Sequence, residues 1–267
     1  MSPREGVSEV MLSLRDGLLR PRLLVSGEGS PLVYLHSFDG MNGWPPFLER
    51  LSRHFKVYAP LHPGVQGSEG LEALDDIIDL ALYYDDLFEA LGLPALHLVG
   101  HFFGGMVAAE IAALAPHRVR RLVLVSPIGL WLDQYPIPDV FMLPQDELNT
   151  LLWHTPDSPA AKAMTEPPPT DEAWAAAHLE QIRTLAAVGK FMWPLPDKGL
   201  KKRMHRIKAP TLILWGERDR LNPLPYSEEF ACRLKGTVRV IPEAGHLLML
   251  EKPEEFADLV MKFLTKR

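Results

Sequence analysis

The chain has 267 residues, of which 47% are hydrophobic and 23% are charged, and its formal net charge is −6. This composition is typical of a globular protein with a full core and excludes disordered and collagen-like classes. The acidic balance gives no general attraction to phosphate backbones or anionic membranes. Nucleic acid and membrane are therefore not expected partners, and the sequence leaves the oligomeric state open.

Sequence features also indicate the compartment and argue against a metal or cofactor. The single cysteine, Cys232, excludes an internal disulfide and favours a reducing compartment. The first ten residues lack the apolar stretch of a leader, and no segment reaches 18 consecutive apolar residues, so we expect a cytoplasmic protein. Neither the histidine spacings nor the glycine spacings match a metal, dinucleotide or P-loop motif, so no cofactor and no metal are expected.

Short apolar runs alternate with longer helical patterns, which predicts a mostly parallel twisted sheet with helices on both faces. Several runs are almost continuously hydrophobic, as strands covered on both faces are. Residues 1–30 predict an antiparallel strand pair turning at Asp16-Gly17. The later strands are predicted at 31–36, 55–59, 95–99, 121–125, 211–215 and 237–241.

Helices are predicted between these strands, and one long stretch departs from the alternation. The helices are expected at 46–53, 71–91, 104–115, 223–234 and 253–265. Ten of the 25 prolines and four of the six tryptophans lie between Trp131 and His205, with helical patterns near 145–154 and 170–188. We therefore predict an α/β core of residues 1–130 and 207–267, with residues 131–206 inserted as a helical cap, or lid.

Three positions lie just beyond the carboxyl ends of predicted strands, which is where open α/β sheets place their ligands. Phe102 lies in Gly100-His-Phe-Phe-Gly104-Gly105, after the strand ending at Val99. Asp219 follows the strand ending at Trp215, and His246 follows the strand ending at Ile241. We expect these three residues to converge at one rim of the sheet.

These motifs, in this order, resemble those of the α/β-hydrolase family over essentially the whole chain. The Gly100–Gly105 segment is similar to the family's G-x-S-x-G nucleophile elbow, with phenylalanine in place of serine. Leu35-His-Ser37-Phe38 is similar to its oxyanion loop, and Pro63-Gly64 with Ser68 to its turn after the next strand. Gly245-His246 followed by Glu251-Lys-Pro253 is similar to its histidine loop and closing helix.

The resemblance implies a role for each residue at the rim. His246 would be the base, Asp219 the acid that orients it, and the backbone N–H groups of Phe38 and Phe103 the oxyanion hole. Asp133 is an alternative acid, because some family members carry it after the strand that ends here at Val125. The family also implies a substrate pocket under the cap, for which Ser37, Trp131, Trp153 and Trp193 are candidates, and a small apolar or moderately polar organic ligand.

The residue at the elbow leaves three hypotheses open, because a phenyl ring has no nucleophilic atom. Under the first hypothesis, the chain is a hydrolase of carboxylic esters or activated ketones (C–C bonds) whose nucleophile position holds Phe102, so that hydrolysis is weak or absent. Alternatively, it is a non-catalytic small-molecule-binding protein on the same fold. The third possibility is an enzyme that uses a His246–Asp219 dyad as general base, similar to the cofactor-free oxygenases of this fold.

Overall fold

The computed structural model describes residues 6–195 and 197–266. An eight-stranded sheet runs through these residues in the order β1-β2-β4-β3-β5-β6-β7-β8. β1 pairs antiparallel with β2, and β2 antiparallel with β4, while the pairs from β4 to β8 are parallel. The strands are β1 Ser8–Met11, β2 Arg22–Ser26, β3 Ser30–Leu35, β4 Phe55–Pro60, β5 Leu96–His101, β6 Val119–Val125, β7 Thr211–Gly216 and β8 Thr237–Ile241.

The helices are placed around the sheet, and three of them lie between β6 and β7. Their bounds are α1 Pro46–Ser52, α2 Ile77–Ala90, α3 Phe103–Leu114, α4 Gln145–Leu152, α5 Pro159–Thr165, α6 Asp171–Met192, α7 Pro225–Leu234, α8 Leu248–Glu251 and α9 Pro253–Leu264. None of the helices in the described ranges is both long enough and apolar enough to cross a membrane.

Successive side chains of the central strands point to alternate faces of the sheet, so a hydrophobic core forms on each face. In β3, Val33 and Leu35 belong to the core that includes α2, α3 and α7, whereas Leu32 and Tyr34 belong to the core that includes α1 and α9. Successive side chains of a strand point to opposite faces, so one apolar strand supplies both cores. The predicted fold class, a mostly parallel sheet with helices on both faces, is confirmed.

The structure refines the bounds of two predicted elements. The helix expected at 71–91 begins only at Ile77, because the carboxylate of Asp76 accepts hydrogen bonds from the N–H groups of Ile78 and Asp79 and caps the helix there. The antiparallel pair near the N-terminus forms, but its strands end at Met11 and resume at Arg22. A short 3-10 turn at Arg15–Gly17 lies within the connection, and Leu14 and Leu19 exchange backbone hydrogen bonds on either side of it, so the chain turns at Asp16-Gly17 as predicted.

Candidate active site

The elbow after β5 is a one-residue bend between strand and helix. β5 ends at His101 and α3 begins at Phe103, which leaves Phe102 at φ 47° and ψ −102°. Positive φ is strained for a bulky residue. A methyl group on Gly100 would lie 2.2 Å from the carbonyl oxygen of Gly104, so the bend needs glycine at position 100.

Phe102 is fully buried and its ring contacts two other aromatic rings. The centroid of its ring lies 4.7 Å from that of His246, at an interplanar angle of 87°, and 5.7 Å from that of Phe38. Such edge-to-face contacts are a favourable geometry for aromatic pairs. The three side chains therefore form one packed group at the rim of the sheet.

The loops after β7 and β8 bring a carboxylate and an imidazole together. His246 Nδ1 lies 2.9 Å from Asp219 Oδ2, and both side chains are fully buried. Asp219 Oδ1 accepts hydrogen bonds from the N–H groups of Leu221 and Asn222. An ionised carboxylate can only accept, so the contact is assigned as a hydrogen bond donated by His246 Nδ1–H, and the neutral imidazole then keeps its Nε2 lone pair to accept a proton. Nε2 has no hydrogen-bond partner in the described part of the chain.

Asp133 does not share this position. Its side chain is exposed, and its carboxylate accepts a hydrogen bond of 3.0 Å from the indole N–H of Trp131. In the structure, Asp219 is thus the carboxylate that pairs with His246.

A second imidazole lies beside the first. The ring of His101 is centred 4.7 Å from that of His246 and is also buried. Burial and the neighbouring His246 hold the pKa of His101 well below its usual value. His101 is therefore a neutral neighbour of the His246–Asp219 pair.

The loop that carries Phe38 is fixed by a chain of hydrogen bonds between buried groups. The backbone N–H of His62 donates to His36 Nε2 at 3.1 Å, so His36 carries its proton on Nδ1 and donates it to the Ser37 carbonyl at 2.7 Å. His62 Nε2–H donates to the His36 carbonyl at 2.9 Å, and His62 Nδ1 accepts from the hydroxyl of Tyr84 at 2.5 Å. The contacts specify one tautomer for each histidine.

Burial keeps both of these histidines neutral. It lowers the pKa of His36 to about 4, and together with the adjacent His36 it lowers the pKa of His62 well below the usual value. The loop at Ser37 and Phe38 is consequently held by neutral donors and acceptors. The backbone N–H of Phe103 opens α3, where the first N–H groups of a helix have no partner within it.

The four predicted pocket residues differ in how far they are exposed to solvent. Ser37 is buried and its hydroxyl has no hydrogen-bond partner among the described residues, while Trp153 is buried and Trp131 is half-buried. Trp193 is 56% exposed and donates its indole N–H to Asp139. The structure therefore places Trp193 at the surface, and its role in a pocket stays a prediction.

Several residues that shape the site have no role that the sequence alone predicted. Asn222 donates its amide N–H groups to the carbonyls of Ser126 and Pro127, which joins the Asp219 loop to the end of β6. The spacing Asp219-Arg-Leu-Asn222 is a turn pattern that could have indicated the local bonds from Leu221 and Asn222 to Asp219, but not this long-range contact. His62 and Tyr84 carry no comparable local signal, because their contact joins distant parts of the chain. Within the described ranges, no group of three or more histidine, cysteine or acidic residues could hold a metal ion.

Comparison with known families agrees with this architecture. A family model described as the alpha/beta hydrolase fold matches residues 30–253. The chain belongs to this family.

The chain is similar over most of its length to several proteins that are named as hydrolases or esterases. The chain is 26% identical over 263 residues to the 2-hydroxy-6-oxo-6-phenylhexa-2,4-dienoate hydrolase of Comamonas testosteroni, covering 91% of this chain and 90% of that protein. It is 27% identical over 257 residues to a carboxylesterase of Bacillus subtilis, covering 92% and 84% of the two chains. The solved structure of a Rhodococcus 2-hydroxy-6-oxo-6-phenylhexa-2,4-dienoate hydrolase superimposes with a TM-score of 0.79 at 22% identity, covering 97% of this chain and 100% of that one.

Proposed function

We propose that this protein has the site of a hydrolase of carboxylic esters or activated ketones, with Phe102 in the place of the nucleophilic serine. The observation that carries the proposal is the buried His246–Asp219 pair, whose imidazole lies against the ring of the elbow residue. A serine hydrolase needs a base at this point, and an imidazole whose Nε2 has no hydrogen-bond partner among the described residues supports that role for His246. Hydrolysis by the chain as it stands is expected to be weak or absent.

The chemistry of the restored site follows from the proton positions. With serine at position 102, Oγ would attack the substrate carbonyl and His246 Nε2 would take the hydroxyl proton, while Asp219 stabilises the imidazolium. The N–H groups of Phe103 and Phe38 would donate to the oxyanion. His246 would return the proton to the leaving alkoxide of an ester, or to the leaving carbon of an activated ketone. Water would then release the acyl group, and these steps require no cofactor.

The substrate class is proposed from the relatives and the residues between β6 and β7. The relatives named above are a carbon-carbon hydrolase and a carboxylesterase. We propose that residues 131–206 act as a cap, with Ser37, Trp131 and Trp153 at the substrate pocket. These residues suit a small apolar or moderately polar organic substrate.

Phe102→Ser is the variant that tests the proposal, with Phe102→Ala as its matched control. Both variants open the same space, but only serine supplies a nucleophile. On p-nitrophenyl butyrate and on a 2-hydroxy-6-oxo-dienoate, Phe102→Ser is expected to exceed Phe102→Ala by at least about 10³-fold in kcat/KM, because a complete triad supplies about 10⁶-fold. Adding His246→Ala to Phe102→Ser should remove the gain.

The remaining outcomes distinguish the other two hypotheses. Robust ester or ketone turnover by the unaltered chain, abolished by His246→Ala, would replace the proposal with the general-base dyad. A Phe102→Ser variant that is folded by circular dichroism yet no more active than Phe102→Ala would contradict the proposal. Stabilisation of the unaltered chain by the substrates would then favour the binding protein.

A further inference from the structure

A single carboxylate joins the backbone before His246 to the segment that follows α4. Glu251, the last residue of α8, accepts a hydrogen bond from the Gly245 N–H through Oε2 at 2.6 Å. Its Oε1 accepts from the N–H groups of His154 at 2.9 Å and Thr155 at 3.2 Å. We call Glu251 and these three N–H groups the Glu251 clasp.

The two segments joined by the Glu251 clasp also touch through their backbones. The N–H of Leu247 donates to the carbonyl of Leu152 at 3.1 Å. A methyl group on Gly245 would lie 2.5 Å from the backbone nitrogen of His154, which leaves no room for a side chain there. His246 is therefore held on both sides by residues in contact with the end of α4.

The position of the acid loop is connected to the same segment. The guanidinium group of Arg220, next to Asp219, donates to the carbonyl of Trp153 at 2.6 Å. The segment after α4 thus contacts the loop that carries Asp219 as well as the loop that carries His246. A displacement of residues 152–155 would therefore shift the loops of both His246 and Asp219.

We infer that Glu251 is a positioning residue that sets the place of His246 opposite Asp219 and couples it to the helices between β6 and β7. Its carboxylate suits this task because both oxygens accept and all three partners donate. A glutamine of the same shape would turn an NH2 group toward at least one of these N–H donors. The catalytic consequence rests on the function proposed above, whereas the positioning of the imidazole does not.

Glu251→Gln tests this inference, with Glu255→Gln on the exposed side of α9 as the matched control. The first readout is amide hydrogen exchange at Gly245, His154 and Thr155. Loss of a charge-assisted hydrogen bond predicts exchange faster by about tenfold or more in Glu251→Gln and unchanged exchange in the control. Glu251→Asp keeps the charge but shortens the side chain, so it should also make amide exchange at these positions faster. It replaces Glu251→Gln as the test variant if Glu251→Gln does not fold.

The second readout is the imidazole itself, which a merely structural role would not change. Nitrogen-15 spectra of His246 should show the Nδ1–H tautomer in the parent and a mixture of tautomers in Glu251→Gln. In the Phe102→Ser background, Glu251→Gln should lower kcat about tenfold with little change in KM, because one displaced base weakens the transition state more than substrate binding.

Unchanged exchange at the three N–H groups, or faster exchange with an unchanged His246 tautomer, would overturn the inference. If Phe102→Ser alone is inactive, the proposed function has failed, and the exchange and tautomer measurements still decide the role of Glu251. If Phe102→Ser is active and Glu251→Gln leaves its kcat unchanged, the positioning role is wrong and the proposed function stands.

Discussion

The aromatic ring of Phe102 packs edge-on against the imidazole of His246, with their centroids 4.7 Å apart. The same phenylalanine has φ 47°, so its backbone is strained while its side chain is well packed. The two contributions have opposite signs, and different substitutions at position 102 separate them.

Replacing Phe102 with glycine should give a more stable protein than replacing it with alanine. Both changes remove the buried ring, which costs about 3–5 kcal/mol in a core. Glycine also relieves the positive-φ strain, which costs a residue with a Cβ about 1–3 kcal/mol. We therefore expect Phe102→Gly to exceed Phe102→Ala in free energy of unfolding by about 1 kcal/mol or more, as measured by urea denaturation.

The control for this prediction is Ala109→Gly inside α3, where the usual order holds. At this position, the Ala109→Gly variant should have a free energy of unfolding about 1 kcal/mol lower than that of the parent protein, which has alanine. If Phe102→Ala proved the more stable elbow variant, the strain at this bend would be absent.

Removing the acid should disable the restored site, and Asp219 is the residue whose loss should matter. Asn in place of Asp219 can turn its NH2 group toward His246, which favours the wrong tautomer. In the Phe102→Ser background we expect Asp219→Asn to lower kcat by about 10³–10⁴-fold, as loss of the orienting acid does in serine proteases.

The matched control is Asp133→Asn, which alters an exposed carboxylate bonded to Trp131. It should leave kcat of Phe102→Ser within about twofold, as surface substitutions away from a site generally have small effects. A large loss with Asp133→Asn and none with Asp219→Asn would make Asp133 the acid. Initial-rate measurements on p-nitrophenyl butyrate are sufficient.

The sequence predicted the elements of this site better than the contacts between them. Asp219 and His246 could be found because each follows a strand of the parallel part of the sheet, and the carboxyl ends of parallel strands meet at one edge. The late start of α2 at Ile77 depends on a single aspartate cap, which the helical periodicity of the segment obscured. The surface position of Trp193 was not predictable, since aromatic residues in a proline-rich stretch fit a pocket wall or an exposed face equally well.

Removing the hydroxyl of Tyr84 should loosen the loop that carries Phe38. Tyr84→Phe leaves His62 Nδ1 without its buried donor, which costs about 1–3 kcal/mol. Urea denaturation should show that loss of stability, and nitrogen-15 spectra of His62 should show a less uniform tautomer. Tyr83→Phe is the control, because it removes the hydroxyl of an equally buried neighbour while the Tyr84 hydroxyl still donates to His62, so the His62 tautomer should stay unchanged.

Stability should fall as the pH is lowered from about 6.5 to about 4, because buried histidines stay neutral in the native state. The native pKa of His36 is about 4, and burial also lowers the pKa values of His62 and His101. An unfolded histidine has a pKa of about 6.5, so below that pH the unfolded chain binds protons that the native chain does not. The stability that these groups contribute is therefore fully present above about pH 6.5 and is lost as the pH falls.

The size of the effect identifies the residues responsible. Each such histidine lowers the free energy of unfolding by about 1.4 kcal/mol per pH unit within its window. Urea denaturation between pH 7.5 and 4.5 should therefore give a slope of more than one proton. His36→Asn should reduce that slope by about one proton, whereas His117→Gln at the exposed end of the α3–β6 connection should leave it unchanged. A flat profile for the unaltered chain would mean that these imidazoles are protonated in the native state, and the tautomers assigned to His36 and His62 would then be wrong.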